Sequence, residues 1–162
     1  MPKNFKPEMG SGDDGMTDLP PAKRVKKTDP GIKALGLIDE LNALLGLVKA
    51  KLPGKKEAAE LRKTQQSLLK AAAAAAGMNL KAELAKETGY LETRIEALSA
   101  GAGPVRGFVL PGRSETEALL HLARAKARSC EIALWETGSG PSAVYLNRLS
   151  DYLFLLALKK YK

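Results

Sequence analysis

His121, Arg124, Arg128 and Glu131 recur at intervals of three, four and three residues. On a helix that spacing gathers an imidazole, two guanidinium groups and a carboxylate on one face. Such a face can hold an anion, or it can be a solvated surface laced with Arg–Glu pairs. The other side, Ala123, Ala127, Cys130 and Leu134, is small enough for a second helix to approach closely. A further polar group follows in YLNRLSDYLFLLALKKYK. Asn147, Ser150 and Asp151 stand opposite the stripe Leu146, Leu149, Leu153 and Leu156, yet Phe154 and Leu158 continue that polar side as apolar. Both sides of this last helix therefore ask for burial. Its polar group reads as part of a lined site or subunit interface, or as hydrogen bonding between helices.

Three more stretches carry groups able to do chemistry. GSGDDGMT, Gly10 to Thr17, is glycine-rich, and glycines let backbone N–H groups approach an oxyanion. Flexible tails have the same look. KRVKK, Lys23 to Lys27, suits phosphates or nucleic acid, or is plain solubilising charge. In LGLIDELNALLGL, Leu35 to Leu47, Ile38, Leu41, Leu45 and Val48 make an apolar stripe, with Glu40 turned to water. Asp39 and Asn42 fall along the stripe's edge, where a carboxylate is costly unless a cation meets it.

Other chemistries are narrowed by what the chain lacks. One His and one Cys make a transition-metal site of such ligands improbable, and there is no GxxxxGK[ST] phosphate loop. Cys130 alone cannot form an internal disulfide, which fits a reducing compartment. No apolar run reaches the length of a membrane span, and MPKNFKPEMG lacks the apolar segment of a signal peptide. A soluble cytoplasmic protein is the expectation. The formal charge of +8 points to an anionic partner without choosing one.

The elements that must position these groups are helices. At 162 residues the chain suits one domain with a real core. Residues 1 to 30 hold five of the nine prolines, with breaks at Gly10, Gly12 and Gly15, and read as irregular. The expected division is a flexible basic segment over 1–28 and a single helical domain over 29–162. Asp29-Pro30 starts a helix that runs to about Lys51, where Pro53-Gly54 ends it. A second covers roughly 55 to 85 and includes the six alanines of KAAAAAAG, read as close helix packing. A third lies near 87 to 99, with Leu91, Ile95 and Leu98 on one side. Ser99 to Ser114 is a loop with a short extended piece, Phe108 to Leu110. Ser114 and Glu117 form a capping box for a fourth helix that ends before Gly138. The fifth starts after Pro141. The fold class is all-α, a five-helix up-down bundle.

Taken in order, GDDGMT (12–17), RVKK (24–27), IDELN (38–42), FVLPG (108–112), LHLARAKAR with Glu131 (120–131) and NRLSDYLF (147–154) resemble the trimeric ATP:cob(I)alamin adenosyltransferases of the propanediol-utilisation type. The resemblance runs from about residue 9 to 158. It implies a homotrimer with sites between subunits, and transfer of the 5′-deoxyadenosyl group of ATP to the cobalt of reduced cobalamin, releasing triphosphate. It would put Gly12, Asp13, Gly15 and Thr17 in a loop over ATP and Lys27 on the triphosphate. Arg128 and Glu131 would lie at the nucleotide, with Asn147 near its sugar or base. Phe108 would press under the corrin, displacing the lower cobalt ligand, and Asp39 would pair with Arg124 beside it. Mg²⁺ would arrive on ATP, with no metal ligands assigned to protein side chains.

The chain departs from the family pattern at Met9, Gly31, Leu35, Arg113, Ser129 and Ile132; at Gly31, Ser129 and Ile132 an arginine is replaced. A second reading is thus a non-catalytic relative that binds ATP or a corrinoid as sensor, carrier or assembly subunit. A third, a basic nucleic-acid binder, rests on charge and KRVKK alone. Any DNA binding is expected to fall steeply with salt and to ignore sequence, as a titration of mixed duplexes at two ionic strengths would read; a sequence-specific complex would revive the third reading.

Overall fold

Asp29 closes the N-terminal segment and opens the first helix. Its Oδ1 accepts a hydrogen bond from the Gly31 amide at 2.7 Å, and Pro30, first in the helix, has no amide to leave unsatisfied. A computed structural model describes residues 9–19, 23–102 and 107–159. Residues 1–8, most of the stretch read for a signal segment, and 103–106 of the expected loop lie outside them. Helix α1 (Pro30–Lys51) buries Ile38, Leu41, Leu45 and Val48, the stripe its periodicity predicts.

The segment before α1 is not irregular throughout. Strands β1 (Met16–Leu19) and β2 (Lys23–Lys26) form an antiparallel hairpin, with Thr17 opposite Val25 and Asp18 opposite Arg24. Charge masks the alternation in the sequence, but cross-strand pairs of this kind stabilise a ribbon. Arg24 reaches Asp14 at 2.8 Å and Asp18 at 3.8 Å, so part of the basic run KRVKK is neutralised locally. Leu19 lies against Gly31 and seats the hairpin at the start of α1.

Helix α2 (Lys55–Ala75) is shorter than the alanine run suggests. Gly77 takes φ +106°, and the Gly77 and Met78 amides fold back onto the Ala74 and Ala73 carbonyls, each at 3.0 Å. This closing motif outweighs alanine's propensity to continue. Helix α3 then runs over Lys81–Ala102, longer at both ends than 87–99. Gly89 weakens it by propensity, but Leu84, Glu87 and Leu91 are buried to either side and hold the turns together. Helix α4 (Glu115–Glu136) starts at the Ser114 cap and stops at Gly138, φ +72°. Helix α5 (Gly140–Lys159) takes Pro141 into its first turn.

Five helices result, as expected, with α4 flanked by α1 and α5, and α5 flanked by α4 and α3. Ala123, Ala127, Cys130 and Leu134 of α4 meet Leu146, Leu149, Leu153 and Leu156 of α5 in the core, all buried. The alanines of α2 are a packing surface: Ser142 Oγ donates to the Ala71 carbonyl at 2.9 Å. A polar seam completes that side, with Glu60 accepting from Arg94 at 2.9 and 3.0 Å and from Tyr152 at 3.2 Å. Among the described residues no helix is long and apolar enough to cross a membrane.

Leu149 is fully buried whereas Asp151, two residues on, is exposed. Leu149→Ala is expected to cost about 2–5 kcal/mol in urea unfolding, and Asp151→Ala no more than about 0.5 kcal/mol. Equal costs would refute the assigned faces of α5.

Candidate functional site

The glycine loop ahead of β1 is folded by its own backbone. Gly15 N donates to Gly12 O at 3.1 Å, and Lys27 N donates to Gly15 O at 2.8 Å, tying the loop to the residue that follows β2. Gly12 has φ +87°, and a Cβ there would stand 2.8 Å from the Met16 carbonyl and 3.0 Å from Nζ of Lys27. The Lys27 ammonium therefore lies directly against bare backbone, an arrangement that only glycine at position 12 permits. Asp14 Oδ1 accepts from the Met16 amide at 3.0 Å. The hydrogen bond from Arg24, then that amide, hold the Asp14 carboxyl below its usual range. Asp13 is exposed, and Thr17 sits within β1, opposite Val25, rather than in the loop.

On α4 the four polar residues share a face but differ in depth. His121 is buried, Arg124 and Glu131 are half-buried, and Arg128 is exposed. Phe154 of α5 is their common neighbour at one end. The His121 ring meets it edge-on with centroids 5.9 Å apart, and the Arg124 guanidinium stands 5.8 Å from its centroid. Arg124 Nε is buried without an acceptor. At the other end Asn147 Nδ2 donates to Glu131 Oε1 at 3.2 Å, while Arg148 donates to Asn147 Oδ1 at 2.5 Å and to Glu92 at 3.0 Å. Both ends of the Asn147 amide are thus fixed.

The segment entering α4 presents Phe108 wholly to solvent. Its expected extended piece, Phe108 to Leu110, pairs with no strand among the described residues. Ser114 caps α4 by accepting from the Glu117 amide at 3.4 Å, the hydroxyl half of the expected capping box. The Glu117 carboxylate, fully buried, accepts from the amides of Gly112 at 2.7 Å and Arg113 at 3.2 Å.

Within a single copy of the chain the expected Asp39–Arg124 pair is not formed. Asp39 is exposed, and among the described residues no ion pair joins it to Arg124. The helical period that buries Ile38 and Leu41 turns Asp39 outward, and Arg124 faces α5 rather than α1. The charge links between α1 and α4 are instead Glu40 with Lys126 at 2.6 Å and Lys51 with Glu115 at 2.9 Å. Glu131 and Asn147 are brought together; among the described residues no hydrogen bond or ion pair connects the glycine loop to Arg128, Glu131 or Asn147. The sequence reading missed Phe154, Arg148 and the anchoring part of Glu117. Phe154 carried a usable signal, being two helical turns beyond Asn147 on the same side. Among the described residues no three His, Cys, Asp or Glu gather as a metal site. Burial pushes the Cys130 thiol up to about 12, so it supplies no thiolate near neutral pH.

Against known proteins, the cobalamin adenosyltransferase family model matches residues 8–160. The corrinoid adenosyltransferase PduO of Citrobacter freundii is 37% identical over 158 residues, covering 91% of this chain and 47% of that protein. The corrinoid adenosyltransferase of Bacillus subtilis is 37% identical over 159 residues, covering 91% and 82%. The chain spans about half the length of the PduO relatives from Citrobacter and Salmonella. Among solved structures, a variant PduO-type ATP:corrinoid adenosyltransferase from Lactobacillus reuteri, complexed with cobalamin and ATP, superposes with a TM-score of 0.87 at 26% identity, covering 96% of this chain and 91% of that one.

Burial, aided by the nearby Arg124 charge, holds His121 below its ordinary 6.5 against the opposing pull of Glu117. The unfolded chain therefore takes up this proton first as pH falls. The stability that follows from a neutral His121 is complete above about pH 6.5 and is lost as pH drops through the folded-state value. Thermal unfolding across that window should show a falling midpoint, with a flatter profile in His121→Gln. Parallel profiles would refute this assignment.

Proposed function

The chain belongs to the cobalamin adenosyltransferase family, and we propose that it carries out ATP:cob(I)alamin adenosyl transfer. The observation that carries the reading is a set of cations without acidic partners. Among the described residues Lys27 and Arg128 form no ion pair, and Arg124 Nε has no acceptor. Uncommitted cations suit a reaction whose leaving group is triphosphate. The cobalt electron pair attacks C5′ of ATP, a Co–C bond forms, and the C5′–O bond breaks with its electrons leaving on triphosphate. Because the metal of the substrate is the nucleophile, the protein's work is positioning and electrostatics. The raised thiol of Cys130 is no handicap to that chemistry.

The assignments follow the neighbourhoods described above. Gly12, Asp13, Gly15, Thr17 and Lys27, within the N-terminal segment 1–28, take the ATP phosphates. Arg128, Glu131 and Asn147, in the bundle domain 29–162, take the rest of the nucleotide, and Mg²⁺ travels on the triphosphate. Phe108, Arg124 and Asp39 take the corrin. A homotrimer is supported by the outward faces of α1 and α4, where Leu47, Leu122 and Ile132 are about half exposed. Asp39 lies on α1, open to a neighbouring copy, so we assign its pairing with Arg124 to the contact between subunits. The cytoplasm is the compartment we assign, on the single buried thiol.

A relative that binds these ligands without turnover is the second reading. Ser129 and Ile132, exposed on α4, supply no cation where the family pattern has arginine. The deciding experiment is anaerobic incubation with ATP, Mg²⁺ and chemically reduced cob(I)alamin, followed by corrin absorbance. Adenosylcobalamin at catalytic protein concentration is expected; ligand binding without product would establish the second reading. Lys27→Ala and Gly12→Ala should each raise the KM for ATP by about 10- to 100-fold, the scale of one charge-assisted contact, and leave the corrinoid KM nearly unchanged.

A further inference from the structure

We propose that Glu117 is a positioning residue for corrinoid: its carboxylate fastens the loop that presents Phe108. This rests on the functional reading above. An acidic residue at the third position of a helix ordinarily returns to the cap of its own helix. Glu117 reaches further back, to the amides of Gly112 and Arg113 at 2.7 and 3.2 Å. Burying a carboxylate fully is costly unless its oxygens are satisfied, and here one oxygen is spent on a surface loop.

Phe108 has no packing of its own to hold it, since the side chain is wholly exposed. What restrains it is the backbone four residues on. Pro111 fixes one dihedral there. Gly112 adopts φ +120°, a conformation other residues rarely take, with its amide tied to Glu117. The same carboxylate faces inward. Its Oε1 stands 3.2 Å from His121 Nε2, without the alignment of a hydrogen bond, and the His121 ring packs edge-on against Phe154 beside Arg124. Glu117 therefore connects the exposed aromatic to the groups assigned to the corrin. The Ser114 hydroxyl already caps the Glu117 amide, so the carboxylate is not needed for that bond.

The test is carried out on the full chain with cob(I)alamin and ATP as substrates. Wild-type hydrogen exchange should show the Gly112 amide slowed at least about tenfold relative to an unprotected amide. Glu117→Ala should lower kcat/KM for the corrinoid at least about tenfold while the KM for ATP stays within about twofold. Glu117→Gln, which keeps an acceptor oxygen, should recover most of the loss. If the alanine variant does not fold, Glu117→Asp, which keeps the charge but withdraws the acceptor, should show the same selective loss. Fast exchange at Gly112, unchanged corrinoid kinetics in a folded variant, or equal losses toward both substrates would each overturn the proposal. A wild type without turnover overturns the functional reading and this role together, whereas turnover indifferent to Glu117 overturns this role alone.

Discussion

Close packing of α4 against two neighbours is the constraint on which the rest of the molecule depends. Ala123, Ala127 and Cys130 are fully buried and small, and they let α1 and α5 approach α4 from different sides. With backbones this near, the rotation of α4 about its axis is set, because turning it would bring larger side chains into a space sized for methyl groups. The rotation then decides the depth of every charged group on the helix. His121 falls inside the protein, Arg124 at the boundary, and Arg128 in solvent. A spacing of three, four and three residues thus becomes a gradient of exposure rather than a flat charged face.

Around that helix the protein handles its excess positive charge in two ways. Cations that serve the architecture have partners: Arg94 with Glu60, Lys70 with Glu87, Lys126 with Glu40, Arg24 with Asp14. Lys27 and Arg128 do not, among the described residues, and Arg124 has a buried donor without an acceptor. An orphaned buried donor is costly in a lone chain, and Arg94 Nε carries the same cost despite its Glu60 partner. The partnered cations also explain why net charge is a poor guide to partners here. In the basic run of the hairpin, Arg24 is occupied by Asp14 and Asp18.

Hydrogen-bond geometry at the helix ends corrects several readings made from composition. The six alanines favour helix, yet the Gly77 closure ends α2 at Ala75 and gives α3 six more residues at its start. Propensity differences of a few tenths of a kcal/mol per residue are outweighed once two amides and a positive-φ glycine close the helix. The hairpin of β1 and β2 was hidden for a related reason. Its pairing depends on residues facing one another across the turn, and each strand alone looks like charged tail.

Sequence by itself determined the things that periodicity and local caps control. The buried stripes of α1, α4 and α5 follow from 3.6-residue spacing, the Asp29 and Ser114 caps from short-range hydrogen bonding, and the order of motifs from the chain itself. Tertiary structure alone decided which charges meet. Asp39 and Arg124 have the right types for a pair, but within one copy of the chain α1 turns one to solvent and α4 turns the other toward Phe154, because each helix's rotation is fixed by its own apolar contacts. Glu117 shows the same division from the other side. Its spacing from Ser114 announced a cap, while the amides it grips belong to a loop whose path depends on where α4 starts within the packed bundle.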